Sequence, residues 1–182
     1  MSASSTTNGT TASSATASSA TAGAAERSRM SDPVAQVPEL QELGGWLYRA
    51  TGNRSVPRTT ISLVQLRAGQ IVGSTYLAVQ HADNLRKAGE SEERITAVAT
   101  WHDAPYFTPA ERVALALVEA VLTPPAGGGE RVSDELYAEA AAHYDPKALT
   151  TLTLAIGQVN FFVPLALIGK PLPGRKPAEQ WT

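Results

Sequence analysis

TISLVQLRAGQIVGSTYLAVQHADNLRKAG, residues 60–89, is the stretch whose reading decides the fold of this chain. Leu63, Leu66, Ile71, Leu77, Val79 and Leu85 are spaced compatibly with a long, well-buried helix, and Gly89 supplies its stop. Gly69 and Gly73 mark either a break in that helix or a point of close packing. If the helix runs on unbroken, each residue advances about 100°, and Gln70, Ser74, Leu77 and His81 fall in one narrow stripe. A polar face with an imidazole suits acid–base work near neutral pH. A lone His on a mostly apolar helix is more often a hydrogen-bonded structural residue.

Outward from this stretch, the strongest local signals all start helices. Thr108-Pro109-Ala110-Glu111 combines a capping Thr, Pro at the first helical position and Glu three residues after the cap, which predicts a helix over 109–122. Asp145-Pro146 repeats the device before Leu149, Leu152, Ala155, Ile156 and Val159. Ser133-Asp134-Glu135 opens a helix to about His143, and Ser91-Glu92-Glu93 a short one to about Thr100. A leading helix after Pro38 is expected to be interrupted at Gly44-Gly45. No strand pair and no repeat is signalled, so the expected class is all-α.

Residues 1–30 are almost entirely Ser, Thr, Ala and Gly and read as a disordered tail, because they cannot bury enough apolar surface to offset the entropy of ordering. Residues 31–169 read as one domain, and 170–182, with three prolines, as an extended C-terminal arm. Fifteen basic against seventeen acidic residues argue against a nucleic-acid partner. Residues 1–25 lack a basic start and an apolar run, and the apolar run at 161–168 is too short to cross a bilayer, so no membrane partner and a cytoplasmic location are expected. The chain has no Cys, which excludes thiolate metal sites and thiol redox chemistry within it. His81, His102 and His143 show no His-x-x-x-His or His-Glu-x-x-His spacing, so neither metal nor cofactor is expected. His143 reads as a helix C-terminal residue facing the negative end of the dipole.

Gln70-Ile71-x-Gly73, His81, Ala88-Gly89-Glu90, Trp101, Pro105, Phe107, Glu111-Arg112 and Glu119 fall in step with one known pattern. They resemble the repeat unit of the carboxymuconolactone decarboxylase family in its alkylhydroperoxidase D-like branch, over about 61–162. The resemblance implies an all-helical protomer, a bundle that packs against identical partners as a trimer or hexamer.

In the peroxidase branch a Cys-x-x-Cys pair reduces the peroxide, with a His and an upstream Glu as proton relay. Ser74 and Leu77 stand at the two Cys positions and Ser62 at the Glu position, so of that machinery His81 alone remains. A serine hydroxyl has no accessible two-electron redox cycle, and peroxidase activity by that mechanism is not expected.

The namesake branch decarboxylates a lactone acid without cofactor or Cys pair. The resemblance thus implies His81, Ser74 and Gln70 as catalytic candidates, with Tyr76, Leu77, Ser62, Trp101 and His102 around the substrate. Three readings follow. One is a cofactor-free, non-redox lyase or isomerase acting through His81 on a small molecule. Another is an inactive scaffold or ligand-binding homologue, favoured by Leu77. The last is an antioxidant role using a partner's thiol.

Overall fold

The computed structural model describes residues 27–181, and among them every regular element is helical. In chain order these are α1 (Pro33–Gln36), α2 (Glu39–Thr51), α3 (Arg58–Ile71), α4 (Thr75–Lys87), α5 (Glu92–Ala97), α6 (Pro109–Leu122), α7 (Asp134–His143) and α8 (Pro146–Gly169). Single 3₁₀ turns cover Val98–Thr100 and Pro177–Glu179. The disordered-tail expectation falls mostly on residues 1–26, outside the described residues; within 27–30, Arg29 N–H donates to the Gly169 carbonyl at 2.7 Å.

Local chemistry explains the helix starts. Thr108 and Glu111 form a reciprocal capping box, with the Thr108 hydroxyl accepting from Glu111 N–H and the Glu111 carboxylate accepting from Thr108 N–H. Ser91, Ser133 and Asp145 each accept a backbone N–H three residues on, satisfying one of the orphan donors of their helices.

The sequence expectation of one helix across 60–88 needs correction. The chain breaks at Val72-Gly73-Ser74: Gly73 takes φ +69, Gly73 N–H donates to the Gln70 carbonyl at 3.2 Å and Ser74 N–H to the Gly69 carbonyl at 2.9 Å. That pair of bonds is a Schellman stop, which needs a residue tolerant of positive φ. Ser74 then caps α4, its hydroxyl accepting from Leu77 N–H. Gly69 does the other job, close packing. A Cβ there would lie 2.9 Å from Ala78 N and 3.0 Å from Leu77 Cβ, so α3 and α4 meet backbone to side chain at this point.

α3 is the central helix and packs against α4, α6 and α8. Ile61, Val64 and Ala68 join one apolar cluster with Val113, Leu117, Leu152 and Val159; Leu63 and Leu66 join a second with Leu85, Val98, Trp101 and Leu115. A helix buried on opposite faces carries no clean amphipathic stripe, which is why its period reads weakly in sequence.

Three other expectations change. α2 runs unbroken through Gly44-Gly45, because packing on α8, where Gly44 approaches Phe162, outweighs the low helix propensity of glycine. The C-terminal arm is not extended but folds back onto the body. α8, 24 residues with a mean hydropathy of 1.8 in its most apolar window, is long and apolar enough to cross a bilayer, where the sequence reading recognised only the short run at 161–168. Leu152, Ala155, Ile156 and Val159 are nonetheless buried against the other helices, as in a core helix.

Candidate functional site

A cavity of about 600 Å³ lies between α3, α4 and α8, with α1, α2 and the C-terminal arm at its rim. Such a volume accommodates a small organic molecule. α3 presents Arg58, Ile61, Ser62 and Gln65 to it at helical spacing; α4 presents Tyr76, Leu77, Gln80, His81 and Asn84 in the same way. Gln158 and Phe162 come from α8, and Trp181 from the arm.

His81 is the centre of interest. It is 8% exposed, its ring makes no hydrogen bond to any described residue, and Nδ1 is buried without a partner. Burial lowers its pKa from 6.5 to about 4, so at neutral pH the ring is an uncharged imidazole able to accept a proton. The side chains of Ser62, Gln80 and Asn84 likewise have no hydrogen-bond partner among the described residues, although all three line the cavity. Gln80 and Asn84 are exposed, with amides open to solvent, whereas His81 is buried and Ser62 half-buried; buried or half-buried polar groups are normally paired, so these two mark where a ligand or water is received.

Three other polar side chains of the wall are hydrogen-bonded to each other or to the arm. Gln158 Oε1 accepts from Thr51 Oγ1 at 3.2 Å and from Gln65 Nε2 at 3.3 Å, fixing the amide of Gln65. Tyr76 donates its hydroxyl to Gln180 Oε1 at 2.8 Å; burial raises its pKa, opposed by that hydrogen bond. Among the described residues no carboxylate lines the cavity, and Arg58, with its guanidinium 4.1 Å from the Tyr48 ring, is the one permanently charged group on its wall.

Four of the residues singled out in sequence therefore meet here: His81, Tyr76, Leu77 and Ser62. The other four do not. Ser74 is spent on capping α4, and the break at Gly73 turns Gln70 away from the stripe that an unbroken helix would have given it. Gln70 instead accepts from Arg67 Nη1 at 3.4 Å, on the side of the bundle that holds Trp101 and His102. There Glu119 accepts from Arg67 at 2.6 Å, Trp101 Nε1 at 2.8 Å and His102 Nε2 at 3.1 Å. Burial pushes the Glu119 carboxyl up, but the bonds from Trp101, Arg67 and His102 outweigh it and hold the pKa below the usual range. His102, stacked on Trp101 at 3.7 Å, belongs to this structural clasp between α3 and α6.

Gln65, Gln80, Asn84, Gln158 and Trp181 were not singled out. For Asn84 the signal was available, since it lies three positions after His81 on its own helix face, and Gln80 lies one turn after Tyr76. For Gln158 and Trp181 it was not, because both arrive from far along the chain.

The chain matches the model of the carboxymuconolactone decarboxylase family over residues 38–120, which span α2 to α6 and include His81. It is 33% identical to the uncharacterised YdfG protein of Bacillus subtilis over 123 residues, 68% of this chain and 82% of that one. Among solved structures, it is similar to a protein of unknown function from Agrobacterium tumefaciens, described as a candidate antioxidant defence protein AhpD. That likeness has a TM-score of 0.72 and 25% identity, and covers 82% of this chain and all of the other. The debrominase Bmp8, solved in complex with 2,3,4-tribromopyrrole, shares the fold at a TM-score of 0.64 and 19% identity, over 75% of this chain and 72% of that one. The family model matched over residues 38–120 and a relative aligned over most of its length agree, and the chain belongs to the carboxymuconolactone decarboxylase family.

Proposed function

We propose that the protein is a cofactor-free, non-redox enzyme that uses His81 to move a proton on a small organic molecule bound in the cavity. One observation carries this reading: an imidazole held neutral by burial, without a partner among the described residues, lines a cavity that the half-buried, unpaired Ser62 also lines. Because His81 is uncharged at pH 7, it acts first as acceptor. It takes a proton from carbon or oxygen of the substrate, and the amides of Gln80 and Asn84 donate to the oxygen where negative charge gathers. Returning that proton to another carbon completes an isomerisation, and delivering it to a leaving hydroxyl completes a dehydration. In a decarboxylation the substrate enters as the carboxylate, the carbon–carbon bond breaks with its electron pair left on carbon as carbon dioxide departs, and that carbon takes a proton that water delivers through His81. With no Cys in the chain, a thiol-peroxidase cycle has no nucleophile here.

A second reading, a small-molecule binding protein, is favoured by a specific feature. No carboxylate or carbonyl orients Nδ1 of His81, whereas a working imidazole usually has such a partner to fix its tautomer. Incubating wild type and His81→Gln with a cellular metabolite extract, then comparing the two by mass spectrometry, separates the readings. A metabolite consumed by wild type alone supports catalysis, and its mass change gives the reaction class. Identical profiles with both proteins folded leave the binding reading.

The oligomer is also our proposal. Trp46 is 65% and Ile168 63% exposed, with Leu43, Leu154, Phe161 and Leu167 also exposed on α2 and α8, an apolar surface suited to burial against further copies in a trimer or hexamer. Sedimentation of wild type at micromolar concentration checks it; a monomer there refutes it. We take the cytosol as the working compartment.

A further inference from the structure

The C-terminal arm, residues 170–181, reaches the cavity at Pro171 and Trp181. Lys170 leaves α8 in a left-handed conformation, φ 47, which turns the chain back over α4. Residues 173–179 are exposed, so the arm is held near its two ends. At one end Leu172 N–H donates to the Gln180 carbonyl at 3.0 Å; at the other the Gln180 side chain accepts from Tyr76 at 2.8 Å and donates to the Arg175 carbonyl at 3.1 Å. Trp181 then lies flush on the end of α8, where a Cβ on Gly169 would come within 2.7 Å of its ring. Glycine at 169 is what lets the indole seat there.

We infer that Trp181 is a specificity-determining wall of the ligand site, held in place by the Tyr76–Gln180 hydrogen bond, and that the site selects flat, unsaturated rings. This deepens the proposed function and rests on its premise that the cavity receives a small molecule. Tyr76 sits one turn before Gln80 and five residues before His81 on α4, so one helix carries both the proton acceptor and the latch. Trp181, Phe162, Tyr76 and Tyr48 give the cavity aromatic surface from the arm, α8, α4 and α2. Aromatic faces discriminate in favour of other π systems beyond simple burial. A saturated molecule of equal size gains only the burial.

Isothermal titration of the full-length protein with 2-naphthol and with its saturated counterpart, decahydro-2-naphthol, tests the inference. Wild type is expected to bind 2-naphthol about three- to tenfold more tightly, the range that aromatic pairing supplies. Trp181→Leu, which keeps an apolar cover, is expected to lose that preference, and Trp181→Phe to retain it. Tyr76→Phe, which removes the latch but not the ring, is expected to speed dissociation of 2-naphthol several-fold. His81→Ala keeps the preference while abolishing chemistry, so failure of the catalytic reading and failure of this inference give different results. Absent binding of 2-naphthol, equal binding of the two probes by wild type, or an unchanged preference in Trp181→Leu overturns it.

Discussion

Lowering the pH is expected to cost this protein stability through His81 in a defined window. The unfolded chain holds this imidazole at about 6.5 and the folded chain at about 4, because burial without a partner penalises the charged form. Above pH 6.5 both states are neutral and His81 adds no pH dependence. Between 6.5 and about 4 the unfolded state binds one more proton, so stability falls as pH falls. Below about 4 both are protonated and the loss is complete. At 1.36 kcal/mol per pH unit, the gap comes to about 3 kcal/mol. Urea unfolding of wild type and His81→Gln at several values between pH 7.5 and 4 isolates this contribution, since the other titrating groups are common to both proteins. The wild-type free energy should drop by about 3 kcal/mol relative to the variant across the window. A difference that stays flat would mean the imidazole is solvated, and one of opposite sign would mean an unrecognised acidic partner; either refutes the picture of a neutral cavity base.

Glu119→Ala should destabilise the fold by about 2–4 kcal/mol, because it strands the Arg67 guanidinium and the Trp101 indole N–H, and thermal unfolding will show it with 2-naphthol affinity unchanged. Gly73→Ala and Gly69→Ala should both destabilise, for different reasons. At Gly73 there is open space and the cost, about 1–2 kcal/mol, is the left-handed backbone. At Gly69 the cost, about 1–3 kcal/mol, is the clash with Ala78 N and Leu77 Cβ. Replacing Gly73 by Asn, which tolerates positive φ, should recover part of the loss at that site and nothing at 69, readable from urea midpoints. Thr108→Ala removes half of the capping box and should cost about 1 kcal/mol of unfolding free energy.

The sequence by itself determined the helical class, the starts of α5 to α8 and the exclusion of thiol chemistry, because caps, prolines and absent cysteines act within a few residues of where they are written. It also brought out His81 and Leu77 through one helix face, and Tyr76 and Ser62 through the family resemblance. Only the tertiary structure decided which polar residues share a site. The helix face drawn through Gln70, Ser74 and His81 assumed an unbroken helix, and a single glycine at positive φ sent Gln70 to the Glu119 clasp and left Ser74 as a cap. Whether Gly73 stops a helix or rides within it depends on what α3 and α4 pack against, which local propensity does not contain. In the same way Gln158 and Trp181 reach the cavity through contacts spanning about half the chain or more, and the arm docks because Gly169 leaves room for an indole twelve residues on. Long-range packing of this kind leaves no periodic trace in the residues that make it, so the cavity had to be seen folded.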